Sequence, residues 1–121
     1  MKPNFKRMLV CNSPEGERDE LSCIVAIIQD FVTKKVLMQG FMNQEAWDKT
    51  QETGVVHFWS TSRRVLWRKG ATSGNEMEVV YQLLDCDCDA VVIGVKVRGN
   101  GVACHTGKTS CFHNGVFRKT L

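Results

Sequence analysis

The sequence predicts an α+β domain dominated by antiparallel sheet, with one main helix. Three observations carry that reading. Apolar runs rich in branched residues recur along the chain with short polar breaks between them, the mark of strands joined by turns. Only one stretch carries matched helix start and stop signals. The length of 121 residues suits one domain, since two would each be too small to bury much core.

The elements follow in order. Residues 1–20 form a polar leader. Leu21–Gln29 and Lys35–Phe41 are apolar and read as two strands of a hairpin. Asn43 is a good N-cap, Glu45 falls in the first turn, Ala46 and Trp47 begin an apolar face, and Gly54 supplies the stop. Val55–Ser60 returns to strand. Thr61–Gly74 is a polar, basic connection carrying Arg63, Arg64, Arg68 and Lys69 around Trp67. Glu76–Leu84 and Ala90–Val97 are again strand-like, with Asp-Cys-Asp-Cys-Asp between them, and the glycine-rich stretch Gly99–Phe117 reads as loop. No repeat or Pro/Gly-rich linker divides residues 1–121, which therefore read as a single domain.

Hydrophobic residues at 43% and charged residues at 24% are ordinary globular values and exclude a disordered or fibrous chain. A net charge of +3 is too small a bias to argue for nucleic acid or an anionic membrane. No apolar run approaches the roughly 20 residues that span a bilayer, and the amino terminus does not read as a signal peptide. The expectation is a soluble, cytoplasmic protein. In a reducing compartment its six cysteines are buried small hydrophobes or metal ligands rather than a disulfide framework. Cys23, inside an apolar run, reads as core and Cys11 carries little information. Cys86, Cys88, Cys104 and Cys111 cluster beside acids and a histidine.

Three constellations carry possible chemistry. In an extended segment, alternation would send Asp85, Asp87 and Asp89 to one side and Cys86 and Cys88 to the other. The carboxylates suit Mg²⁺ or Ca²⁺ and the thiolates suit Zn²⁺; a solvated acidic turn is the plain alternative. Cys104-His105, followed by Cys111 and His113, lacks the spacing of a closed structural zinc site. Three thiolates from separate loops would leave a fourth position open, as in catalytic zinc, with His105 as a proton carrier. Buried thiols beside a surface histidine are the alternative there. The stretch from Ser60 to Asn75 offers hydroxyls, guanidinium groups and glycine N–H groups suited to phosphate, or is simply a charged connection. His57 alternates with apolar neighbours and reads as a buried histidine or a metal or proton-transfer group.

Four blocks together, MQGFMNQEAW, TGVVHFWSTSRRVLWRKGATSGN, LLDCDCDA and ACHTGKTSCF, closely resemble the phosphoribosyl-AMP cyclohydrolase family of histidine biosynthesis. The motifs span residues 36–112. The resemblance implies a homodimeric fold of that type and a hydrolase that opens the adenine ring of phosphoribosyl-AMP at the N1–C6 bond, giving the phosphoribosylformimino-aminoimidazole carboxamide ribotide. It implies one Zn²⁺ per subunit on Cys86, Cys104 and Cys111, with Cys86 from one subunit and the other two from its partner. It implies one Mg²⁺ per subunit on Asp85, Asp87 and Asp89. Zinc would supply the hydroxide that adds to C6, with His105 and His57 moving protons, and Arg63, Arg68, Lys69 and Ser73 are the candidates for the substrate phosphates. The family pattern has glycine where this chain has Cys88, which reads as a bystander. No fused pyrophosphatase domain is expected in a chain of this length. Two rivals remain: a zinc nucleoside deaminase, whose His-x-Glu and Pro-Cys-x-x-Cys signature is absent, and a non-catalytic zinc-binding or nucleic-acid-binding module.

Overall fold

Six strands and one helix follow one another: β1 (Ile24–Asp30), β2 (Val36–Met42), α1 (Gln44–Thr53), β3 (His57–Ser60), β4 (Val65–Arg68), β5 (Met77–Leu84) and β6 (Ala90–Val97). The computed structural model describes residues 1–5 and 22–119. Cys11, Leu21 and most of the polar leader lie outside the described residues.

Strands β1 and β2 form the expected hairpin, pairing Ile24 with Met42 and Ile28 with Met38. Asp30 sets its turn, because Oδ1 accepts from the N–H groups of Val32 and Thr33 at 2.8 Å each, an Asx turn that mimics backbone. Helix α1 has the caps its sequence signals. Asn43 Oδ1 accepts from the Ala46 N–H at 2.9 Å, and Gly54, at φ 74°, donates its N–H to the Thr50 carbonyl. Thr50 fastens the helix to β3, its buried hydroxyl donating to the Ala46 carbonyl and accepting from the His57 N–H.

The main sheet has the order β2-β1-β6-β5. Its outer pairs are antiparallel, whereas β1 and β6 run parallel. Parallel neighbours need a long crossover, and here β2, α1, β3, β4 and β5 together supply it. A second, two-stranded sheet pairs β3 with β4, setting Phe58 opposite Trp67. Strand β4 lies inside Thr61–Gly74, which sequence pattern assigned to a connection. Its four residues include Arg68 and adjoin Arg63, Arg64 and Lys69, so pairing with β3 rather than periodicity makes it a strand.

One face of the main sheet forms the core. Ile24, Ala26 and Ile28 of β1 meet Val91, Ile93 and Val95 of β6, each offered inward by strand alternation. Leu37, Met42, Val56 and Phe58 join them. Gly40 permits the closure of β3 onto β2, because a Cβ there would lie 2.5 Å from the Phe58 ring. Cys23 is fully buried and burial pushes its thiol up to about 11, in keeping with its reading as a small core hydrophobe. No helix among the described residues is long and apolar enough to cross a membrane.

Candidate functional site

Residues 85–89 form a tight turn, and the expected extended alternation of carboxylates and thiols does not occur. The physical reason is the ladder on either side. Leu84 pairs with Val91, so the intervening residues must reverse the chain. Asp85 organises the reversal: its carbonyl accepts from the Cys88 N–H at 3.1 Å, and its Oδ1 accepts from the N–H groups of Asp89 and Ala90 at 3.0 and 3.2 Å. Asn4 donates its N–H to the Cys88 carbonyl at 2.7 Å from the amino-terminal segment. The turn, not alternation, brings Asp85, Asp87 and Asp89 together, with carboxylate oxygens all within 4.8 Å of one another.

That convergence has an electrostatic signature. Asp89 is pushed up by its side-chain hydrogen bond with Asp87, then by desolvation and by the neighbouring charge of Asp85. Asp85 is held down: desolvation acts against it, but the Ala90 N–H and the Asp89 and Asp87 contacts outweigh that. Three exposed or half-exposed oxygen donors in this arrangement fit a hard divalent cation, which would offset their mutual repulsion. Asp89→Asn should therefore raise the thermal midpoint of cation-free protein by relieving repulsion. Millimolar Mg²⁺ should raise the midpoint of the parent further and that of the variant much less; scanning calorimetry with and without Mg²⁺ reads both.

Cys88 sits in the left-handed region at φ 62°, where a side chain costs about 1–2 kcal/mol and glycine is at ease. Glycine also gains entropy on unfolding, so Cys88→Gly should stabilise by only about 0.5–1 kcal/mol. Denaturant melts measure this. If the protein binds zinc, the variant should bind as much as the parent; loss of that binding would instead identify Cys88 as a ligand.

The second donor set lies on the far edge of the sheet. The chain beyond β6 is stitched to β2 by the Cys111 N–H, which donates to the Leu37 carbonyl at 2.7 Å, and by Ser110 Oγ, which donates to the Val36 carbonyl at 2.7 Å. Cys104 is buried and Cys111 half-buried, and their side chains are hydrogen-bonded. The Cys104 thiol is pulled down to about 6, chiefly by the Thr106 hydroxyl and N–H, with smaller help from His113 and Cys111. Cys111 is pushed up by burial first and then by Cys104, against the charge of Lys69. One thiol of the pair is thus a thiolate at neutral pH, a soft donor that fits zinc.

Cys86 does not join them. It is exposed in the acidic turn beside β6, while the thiol pair lies outside β2. Two inter-strand spacings, about 10 Å, separate β6 from β2. The aspartates are the only group of three or more metal-capable side chains among the described residues.

A cleft of about 810 Å³ is lined by Ser62, Arg63, Trp67, Lys69, Thr72 and Ser73, among others. Trp67 is partly exposed and backed by Phe58, ring centroids 5.1 Å apart. Lys69 links cleft and thiol pair, since its charge is felt at Cys111. Arg68 also borders the cleft, but its Nε lies 3.3 Å from Glu76 Oε2. His57 is buried with Nδ1 2.9 Å from the Val55 carbonyl. His105 is exposed. His113, given no role by its position in the sequence, has Nε2 3.9 Å from Cys104 Sγ; only the fold of the intervening loop reveals that contact.

Two donor sets of different hardness and a cationic cleft share this small α+β scaffold, and comparison with known proteins gives the class, a hydrolase. Residues 38–113 match the family model described as phosphoribosyl-AMP cyclohydrolase, and the chain belongs to that family. It is similar to the phosphoribosyl-AMP cyclohydrolase of Archaeoglobus fulgidus, 52% identical over 99 residues that cover 82% of this chain and 90% of that protein. It is 50% identical over 93 residues to the protein of the same name from Methanococcoides burtonii, covering 77% of this chain and 75% of the relative. A third relative is the histidine biosynthesis bifunctional protein HisIE of Halalkalibacterium halodurans, 48% identical over 103 residues, 85% of this chain and 48% of that protein.

Proposed function

We propose that this protein hydrolyses the N1–C6 bond of phosphoribosyl-AMP in histidine biosynthesis, as a zinc- and magnesium-dependent homodimer whose zinc site is shared between subunits. The observation that carries this reading is the separation of Cys86 from Cys104 and Cys111 across the sheet of one chain. A three-thiolate zinc site has Zn–S distances of about 2.3 Å, so Cys86 can meet such a pair only from a second copy. The sheet face opposite the core supports that partner. Ile27, Val92 and Leu83 stand in register there, and Leu83 is 60% exposed.

Zinc bound to these thiolates would lower the pKa of water towards neutrality and so supply a nucleophile for the electrophilic C6 of the N1-substituted adenine. The other tasks fall to the chain itself. Arg63, Lys69 and Ser73 bind the substrate phosphates in the cleft, with Lys69 placing the base beside the thiol pair. Arg68, tied to Glu76, shapes the wall of the cleft. His105, exposed next to Cys104, passes a proton to N1 as the ring opens. His57, held on the Val55 carbonyl, orients β3 behind the cleft. Asp85, Asp87 and Asp89 hold the magnesium, which arrives with the same partner subunit as Cys86.

The test is incubation of purified protein with phosphoribosyl-AMP, reading absorbance and ammonia together. Ring opening without ammonia supports the proposal. Ammonia released in step with the absorbance change would make the protein a deaminase, and neither signal from metal-loaded protein would leave a non-catalytic metal-binding module.

A further inference from the structure

The Cys104 sulfur is surrounded by hydrogen-bonding groups. Thr106 Oγ1 lies 3.0 Å away, the Thr106 N–H also reaches it, and His113 Nε2 stands at 3.9 Å. The local chain path explains why the distant histidine makes this contact. Gly107, at φ 88°, donates its N–H to the Cys104 carbonyl at 3.0 Å, and the Cys104 N–H donates to the Lys108 carbonyl at 3.1 Å. This small loop reverses the chain. The anchoring of Ser110 and Cys111 on β2 then carries residues 112–115 back past the sulfur. Cys111 to Gly115, His113 among them, line a cavity of about 410 Å³ at that point. His105, next to Cys104 in sequence, makes no hydrogen bond to it.

We propose that His113 is a positioning residue for the thiol pair: its Nε2–H donates to the Cys104 sulfur and holds that side chain towards Cys111. The inference rests on the cyclohydrolase reading only in taking Cys104 as a metal ligand. Groups that hydrogen-bond a ligand from behind fix its direction and tune how strongly it donates. Three thiolates around a divalent ion carry excess negative charge, and an N–H aimed at one sulfur disperses part of it. Thr106 and His113 approach from different points along the loop, so together they restrict the rotation of the Cys104 side chain.

The experiment uses Co²⁺ as an optical probe in the full-length protein, with zinc affinity measured separately by chelator competition. Removing the N–H donor in His113→Ala makes the sulfur a stronger donor, so the sulfur-to-cobalt charge-transfer band should move to longer wavelength. Zinc affinity should fall about 10–100-fold. His113→Gln keeps an N–H donor of similar reach and should restore band position and affinity together. His105→Ala should move neither. A His113→Ala protein with the parent's band and affinity overturns the proposal. So does a changed visible d–d envelope that His113→Gln fails to restore, because His113 would then be a ligand itself. Failure of the cyclohydrolase reading shows separately, as absent turnover of phosphoribosyl-AMP by the unmutated protein.

Discussion

Cys86→Ala and Cys104→Ala homodimers are each expected to lose turnover and tightly bound zinc, yet a refolded mixture of the two should recover activity. In each mixed dimer one site lacks both residues, while the other combines an intact Cys86 with an intact Cys104 and Cys111. Random pairing makes half the dimers mixed and restores one of their two sites, so about a quarter of the parent activity should return in a two-fold symmetric dimer. The separation of Cys86 from the thiol pair across β1 and β2 is the reason to expect this. No recovery, with mixed dimers confirmed by native mass spectrometry, would exclude the shared site. Dilution below the dimer dissociation constant should also release zinc and abolish turnover together.

Gly70→Ala should be the most damaging single substitution of the cleft. Gly70 is in the left-handed region at φ 85°, and an added Cβ would lie 2.3 Å from Asn75 C and from Glu76 N. Both are backbone atoms and cannot swing aside as a flexible side chain would. The left-handed cost of about 1–2 kcal/mol and a backbone displacement of about 1–3 kcal/mol together give roughly 2–5 kcal/mol of destabilisation. Denaturant unfolding should read that loss. Displacing Glu76 also moves the carboxylate that holds Arg68, so KM for the phosphorylated substrate should rise in whatever fraction folds. An unfolding free energy within 0.5 kcal/mol of the parent would show that residues 70–76 reach the same cleft by another backbone path.

Several features were legible because they are local. Asn43 and Gly54 mark the ends of α1 by their own side-chain and backbone chemistry, so the helix could be placed to the residue. Ala90–Val97 reads as a strand from composition, and β6 has those bounds. Strand β4 was not legible, because four residues carry too little pattern and only the ladder to β3 defines them. The acidic turn shows a subtler failure. Its oxygen and sulfur donors were evident from residue type, but alternation gave the wrong geometry, since closure between β5 and β6 forces Cys88 to φ 62°. His113 stands in the second constellation without a role, because nothing in the spacing of a histidine nine residues beyond a cysteine implies contact.

The sequence by itself determined the α+β class, the helix and its caps, the hardness of each donor set and, through four ordered blocks, the family. All of these depend on residue identity and short-range order. Tertiary structure alone decided that β1 and β6 run parallel, that Glu76 engages Arg68, and that His113 rather than His105 reaches the Cys104 sulfur. It also decided which donors are neighbours, uniting three aspartates in one turn and setting Cys86 apart from Cys104 and Cys111. The physical reason is that hydrophobic burial fixes the order of strands in the sheet, and strand order fixes which loops meet. Composition and spacing specify what a side chain can bind, whereas the path of the backbone around the core sets what lies within a bond length of it.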